Sequence, residues 1–237
     1  MVNQTNSLLN TNSTSFTRIN QKTSVSTIGI VNQKGGCGKS TTAVHLAYWL
    51  SQQKSVILID ADSQQSSSIW VSQLKNESIP YQALLDPEAL FEAIAKASQK
   101  YDTVVVDGPG SLSEVTKTIL DISDLALVPC QPSGLDLSSS SKILQVIRHR
   151  QKIRQGQPQV GLFLSRGIKG TVLLKEAQVA LSTDKRFPLL KTVIYQRQCV
   201  SDAPIQQATV FEMTGSAAAA AAADYEGLFK EAMKLIE

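Results

Sequence analysis

The sequence predicts an α/β fold: a doubly wound, mainly parallel sheet with helices on both faces. Three observations lead there. Short runs rich in Val, Ile and Leu recur along the chain, as in strands covered on both sides. Helix-like stretches separate them, and that alternation builds parallel sheets through right-handed crossovers. A glycine-rich turn joins the first apolar run to the first helix, and ligands of such sheets bind at the carboxyl ends of the strands.

Taken in order, residues 1–24 are rich in Asn, Ser, Thr and Gln. They bury too little apolar surface to offset their ordering entropy, so a disordered extension is expected, with the fold starting near Val25. Strands are expected at 26–32, 55–60, 103–107, 125–129, 160–165 and 192–195. Helices are expected at 39–52, 65–74, 87–99, 112–121, 135–151 and 172–182, and Pro87 suits a first helical turn. The end of the chain carries seven alanines, Ala217 to Ala223, and then Tyr225, Leu228, Phe229, Ala232, Leu235 and Ile236. Alanine is the strongest helix former, and the later apolar positions make one stripe. Packing against the domain is expected of that stripe rather than membrane targeting. Glu226, Glu231 and Glu237 outnumber Lys230 and Lys234, whereas a surface-seeking helix wants a basic polar face.

A chain of 237 residues suits one sizeable domain, and 42% hydrophobic with 18% charged residues is ordinary globular composition. No stretch reaches the roughly 18 apolar residues that span a bilayer, and the N-terminus lacks the apolar core of a secretory signal. Cys37, Cys130 and Cys199 lie far apart, which argues against a zinc or disulfide framework and suits a reducing cytoplasm. The net charge of +3 is unevenly spread: residues 141–200 hold 12 basic and 2 acidic groups, and the rest of the chain is net acidic. One basic segment on an acidic body points to a local anionic partner.

The run KGGCGKST at 34–41 follows an apolar strand and opens a helix. Glycines let backbone N–H groups converge on an anion, and a helix N-terminus adds positive potential. Lys34, Gly35, Gly36, Cys37, Gly38, Lys39, Ser40 and Thr41 are the expected phosphate cradle. Within it Lys39 neutralises the β- and γ-phosphates, Ser40 ligates Mg²⁺, Thr41 reaches the α-phosphate and Cys37 fills a tight turn. Asp60 and Asp62 close one apolar strand and Asp107 another. Carboxylates at strand ends near phosphates can hold Mg²⁺, often through water.

The strict pattern has glycine five positions before Gly38, and this chain has Gln33 there, with a second lysine at Lys34. It therefore resembles the deviant Walker box of the ParA/MinD family of P-loop ATPases. The stretches 107–113, 123–136 and 195–198 look like the short ParA proteins, and the resemblance covers residues 25–237. It implies that ATP and Mg²⁺ are the cofactors and that Lys34 crosses a nucleotide-sandwich homodimer to the other subunit's phosphates. Asp107 becomes the Walker B residue, Asp62 the residue that activates the attacking water, and Ser40, Asp62 and Asp107 the metal set. Many family members carry an Asn-Arg or similar pair near the adenine; Ser165-Arg166 stands here, which makes Arg166 the base-side candidate.

The resemblance further implies a slow, cytoplasmic, nucleoid-associated ATPase. Its dimer would bind double-stranded DNA without sequence preference while a small adaptor stimulates hydrolysis, and the cargo would be a plasmid or a large intracellular body such as a carboxysome. The basic segment supports DNA contact, because phosphate binding needs clustered Lys and Arg rather than base-reading geometry. Arg197 ranks first, followed by Lys169, Lys191, Arg148, Arg150, Lys152 and Arg154. The rival readings are a membrane-associated MinD-like regulator, with no membrane expected from the terminal helix, and a metabolic P-loop ligase or kinase.

Overall fold

The structure, a computed structural model, describes residues 26–75 and 78–237, the side chains of 134–139 excepted. The expectation for residues 1–24 lies outside the described residues. Seven strands form one parallel sheet: β1 (Ser26–Ile30), β2 (Val56–Asp60), β3 (Tyr81–Ala83), β4 (Thr103–Asp107), β5 (Leu125–Cys130), β6 (Gln159–Gly167) and β7 (Leu189–Tyr195). Their spatial order is β3-β2-β4-β1-β5-β6-β7. The central strands β2, β4 and β5 are buried along their whole length, which is why their sequences are continuous apolar runs and not alternating ones.

Eight helices occur among the described residues: α1 (Lys39–Ser51), α2 (Ser66–Ser72), α3 (Pro87–Ala97), α4 (Glu114–Ile122), α5 (Gly134–Ile153), α6 (Val172–Leu181), α7 (Gln198–Asp202) and α8 (Ser216–Met233). One core face packs α1, α2 and α8 against Ile28, Leu58, Val105 and Leu127. The other packs α3, α4, α5 and α6 against Ile57, Ile59, Val104, Val106 and Val128. Val104 and Val106 thus face one layer and Val105 the other, as the two-residue period of a strand requires. The fold is the doubly wound sheet that the sequence predicts.

Local chemistry sets the helix ends. Asp86 caps α3 by accepting from the Ala89 N–H at 2.8 Å, and Pro87 occupies the first turn. Thr171 caps α6 through the Leu174 N–H at 3.3 Å. The apolar stripe of α8 is internal, with Tyr225, Leu228, Phe229 and Ala232 all buried. No described helix is long and apolar enough to cross a membrane. Two elements are not expected from the sequence: β3, which is three exposed residues, and α7, which is five residues with none buried. Neither is long enough to print a period on the sequence.

The strand register brings two acidic groups together. Ile30 pairs with Asp107, and Asp60 also pairs with Asp107. Two carboxylates therefore sit side by side at the carboxyl edge, next to the loop that leaves β1.

Candidate nucleotide site

At that edge lies a cavity of about 450 Å³, walled by Gly35, Gly36, Gly38, Lys39, Ser40 and Thr41 from the glycine loop and by Asp62, Gln64 and Ser66 from the β2–α2 turn. Ser165, Arg166, residues 194–197, Val200, Ser201 and Tyr225 complete it. The loop turns through two left-handed glycines, Gly36 (φ 75°) and Gly38 (φ 95°), and a Cβ at Gly38 would stand 2.7 Å from the Ser165 hydroxyl. The left-handed φ favours glycine there, and any larger residue would also have to turn the Ser165 hydroxyl aside. Gly38 leads directly into α1, so the open N–H groups of that helix face the loop.

Lys39 is buried, and its Nζ donates to the Lys34 carbonyl at 3.0 Å. The same carbonyl accepts from Cys37 Sγ at 3.2 Å, so the buried thiol does serve as a turn filler. Lys34, Cys37 and Asp107 do not line the cavity.

The three acidic candidates have different surroundings. Asp60 is fully buried, and its carboxylate accepts from the backbone N–H of Asp62 at 3.1 Å and of Ser68 at 2.8 Å. It ties the β2–α2 turn together and is engaged as a structural anchor. Asp62, half-buried on the cavity wall, accepts from the Gln64 N–H at 3.0 Å. Asp107 is fully buried, and neither of its oxygens receives a hydrogen bond of good geometry. Burial pushes its carboxyl up to about 7, the Ser40 hydroxyl pulls it back, Asp60 raises it again, and Ser67 and Lys39 lower it. A buried carboxylate with two orphan oxygens beside a serine hydroxyl fits a hard divalent cation. Ser40 and Asp107 are the residues that would hold Mg²⁺, with Asp62 at the cavity side.

This gives the metal-free protein a pH signature. The folded-state value of Asp107 lies above its ordinary 3.8, so the native state binds the proton more tightly than the unfolded chain does. Asp107's contribution is fully present at low pH and is lost as pH rises through about 7. His45 acts in the opposite direction: burial lowers it from 6.5 to about 4, so its contribution is present above 6.5 and lost as pH falls towards 4. Without metal, Asp107→Asn is expected to melt higher than wild type at pH 8, and the gap should shrink steadily towards pH 4. Thermal melts at five pH values decide it, and a gap that stays constant over this range would contradict a raised Asp107 carboxyl.

Arg166 does reach the cavity, but its Nη1 donates to the Gly36 carbonyl at 3.0 Å. It grips the loop. The same carbonyl accepts from Gln131 Nε2 at 2.9 Å. Arg197 lies on the cavity wall, mostly buried, paired with Asp224 and 5.5 Å over the Tyr195 ring.

The other basic candidates do not form one cluster. Arg148 pairs with Asp184 at 3.3 Å and Arg150 with Asp121 at 3.4 Å. Arg154 donates to the carbonyls of Leu120 and Ser123 at 2.8 and 2.7 Å, closing the end of α4. Lys152, Lys169 and Lys191 are exposed, and Lys169 sits 4.8 Å over the Tyr195 ring. Because the strands are parallel, the end of α5 and the start of β7 lie at the edge opposite the cavity, and Lys169 and Arg197 lie at the cavity edge. The basic segment of the sequence is thus spread over both edges of the sheet.

Gln131, Ser165, Gln64, Ser66 and Tyr225 also reach the site or its loop, and none of them is among the site residues expected from the sequence. Tyr225 is legible only as a member of the apolar stripe on α8.

Comparison with known proteins agrees with this fold and with a nucleotide-binding domain. The family model described as the CobQ/CobB/MinD/ParA nucleotide binding domain matches residues 28–210. The "Maintenance of carboxysome distribution protein A" of Halothiobacillus neapolitanus is 28% identical over 79% of this chain and 87% of its own. The chromosome-partitioning ATPase Soj of Thermus thermophilus is 24% identical over 89% of this chain and 96% of its own. Among solved structures, an ATP complex of Cyanothece McdA superposes with a TM-score of 0.72 at 18% identity, covering 91% of this chain and 98% of that one. MinD of Aquifex aeolicus gives 0.68 at 17%, over 87% and 98%. The chain belongs to the CobQ/CobB/MinD/ParA nucleotide-binding domain family.

Proposed function

We propose that this protein is a ParA-type ATPase that positions or segregates a cargo, plasmid or intracellular body, by cycling between DNA-bound and free states. ATP with Mg²⁺ occupies the cavity and bridges two copies of the chain, Lys34 of each reaching the other's phosphates. Hydrolysis removes the γ-phosphate that holds the dimer, as in other nucleotide switches. An adaptor protein accelerates that step. Asp62, on the cavity wall, orients the attacking water.

The observation that carries the reading is the set of groups at one strand edge: Lys39 and Ser40 at the start of α1, Asp62 on the wall, and Asp107 buried beside Ser40 with neither oxygen receiving a hydrogen bond of good geometry. That set suits a phosphate–metal pair better than a carbonyl or sugar substrate. Relatives named for carboxysome distribution and chromosome partitioning support a positioning role. Double-stranded DNA is the favoured surface, since the apolar stripe of α8 is buried within the domain and is not offered to a lipid. Lys169 and Arg197 share the cavity edge, so they are the cations best placed to link nucleotide state to DNA. Lys191, Lys152, Arg148, Arg150 and Arg154 lie away from it, and the three arginines are engaged by neighbours.

Binding to unrelated duplexes with ATP, ADP or no nucleotide, at two salt concentrations, tests this. Tight binding with ATP alone, alike across sequences and weakened by salt, is expected. Binding that ignores nucleotide, or its absence in a protein that binds ATP, would overturn the DNA step.

A further inference from the structure

The geometry points to Gln131 as a positioning residue for the phosphate loop, acting with Arg166 through the Gly36 carbonyl. The inference rests on the nucleotide reading of this cavity and names how its loop is held ready. Gln131 follows β5, and Arg166 lies near the end of β6 with φ 57°, a left-handed backbone that a non-glycine residue adopts only under constraint. Two side chains from two strand ends thus converge on one oxygen 95 and 130 residues earlier in the chain. A carbonyl oxygen has two lone pairs, and here both have a donor.

Gly36 itself has φ 75°, and a Cβ there would meet nothing within 4 Å. No side chain of its own steadies this residue; the buried Cys37 anchors the far side of the following peptide, and the two donors hold its carbonyl. The 36–37 peptide is trans, so holding the Gly36 carbonyl towards Gln131 and Arg166 turns the Cys37 N–H the opposite way. A cradle that stabilises anions with backbone N–H groups needs each of them aimed before the ligand arrives. Gln131 does not line the nucleotide cavity. Its effect on affinity therefore passes through Gly36, whereas Arg166 could in principle act by charge.

That difference sets the test. Fluorescent ADP is titrated into the full chain and its variants, with melting temperatures recorded alongside. Wild type must first bind ADP; if it does not, the nucleotide reading fails and not this inference alone. Gln131→Ala should weaken ADP about fivefold, the loss of one neutral hydrogen bond, and Arg166→Ala about tenfold. Because both donors serve one acceptor, the double variant should lose less or more than the product of the two, not the product itself. Arg166→Gln keeps an N–H donor and removes the charge, so it should recover most of what Arg166→Ala loses. Gln131→Ala within twofold of wild type overturns the proposal. Recovery by Arg166→Lys but not by Arg166→Gln also overturns it, since that would make Arg166 a charge on the phosphates. Adenosine, which has no phosphates, should bind wild type and Gln131→Ala alike; an equal loss for adenosine would mark a general structural defect and count against the clamp.

Discussion

Lys39→Ala is expected to raise the dissociation constant for ATP by about a hundredfold or more, the scale of a lost charge-assisted contact in a closed site. Lys39 is buried at the start of α1, and its ammonium donates to the Lys34 carbonyl at 3.0 Å. That carbonyl is a weak stand-in for a phosphate oxygen: it meets the donor without matching its charge. A bound triphosphate offers several anionic oxygens in the same region, so the ammonium gains far more from the ligand than it gives up. The fold should survive the change, because Lys39 is the first residue of its helix and alanine is a good helix former. Thermal shift on adding ATP checks both points in one experiment. A variant that keeps its melting temperature and loses the ATP-induced rise is the expected result. One that still binds within about tenfold of wild type would show that Lys39 does not face the phosphates.

Asp62→Ala should leave ATP binding within a few fold and cut hydrolysis by about a hundredfold or more, the usual scale for a group that positions or deprotonates a nucleophile. Of the carboxylates on the two strand ends, Asp62 alone lines the cavity. Asp60 is tied to two backbone N–H groups, and Asp107 stands beside Ser40. With ATP bound and uncleaved, the variant should accumulate as the ATP dimer. Single-turnover hydrolysis together with solution mass measures the two effects separately. Full ATPase activity in Asp62→Ala would move the water-activating role elsewhere. Asp60→Ala is the useful contrast, since it should loosen the whole β2–α2 turn and lower the melting temperature.

How far each feature is legible in the sequence depends on how local its cause is. The strands at 56–60, 103–107 and 125–130 are continuous apolar runs because both faces are covered, and such runs announce themselves. The phosphate loop is equally plain: its glycines, lysine, hydroxyl and helix start are contiguous. The residues that complete it are not. Ser165 restricts Gly38, and Gln131 with Arg166 holds Gly36, through contacts that only the folded sheet creates. Arg166 is recognisable as a site residue, but its partner is the loop backbone. The fold spreads the basic segment for a topological reason. In a parallel sheet the chain changes edge with every strand and every return helix, so cations adjacent in sequence at 148–169 end up at opposite edges. The arginines Arg148, Arg150 and Arg154 are also met locally, by Asp184, Asp121 and the carbonyls of Leu120 and Ser123 at the end of α4.

If the glycine loop and Asp107 together make one nucleotide–metal site, calorimetric titration with a non-hydrolysable ATP analogue, with and without Mg²⁺, will show it most directly. The expected result is one site per chain, affinity about tenfold higher with Mg²⁺, and no such difference in Asp107→Asn. Absence of saturable binding, or binding that neither Mg²⁺ nor Lys39→Ala changes, would contradict it.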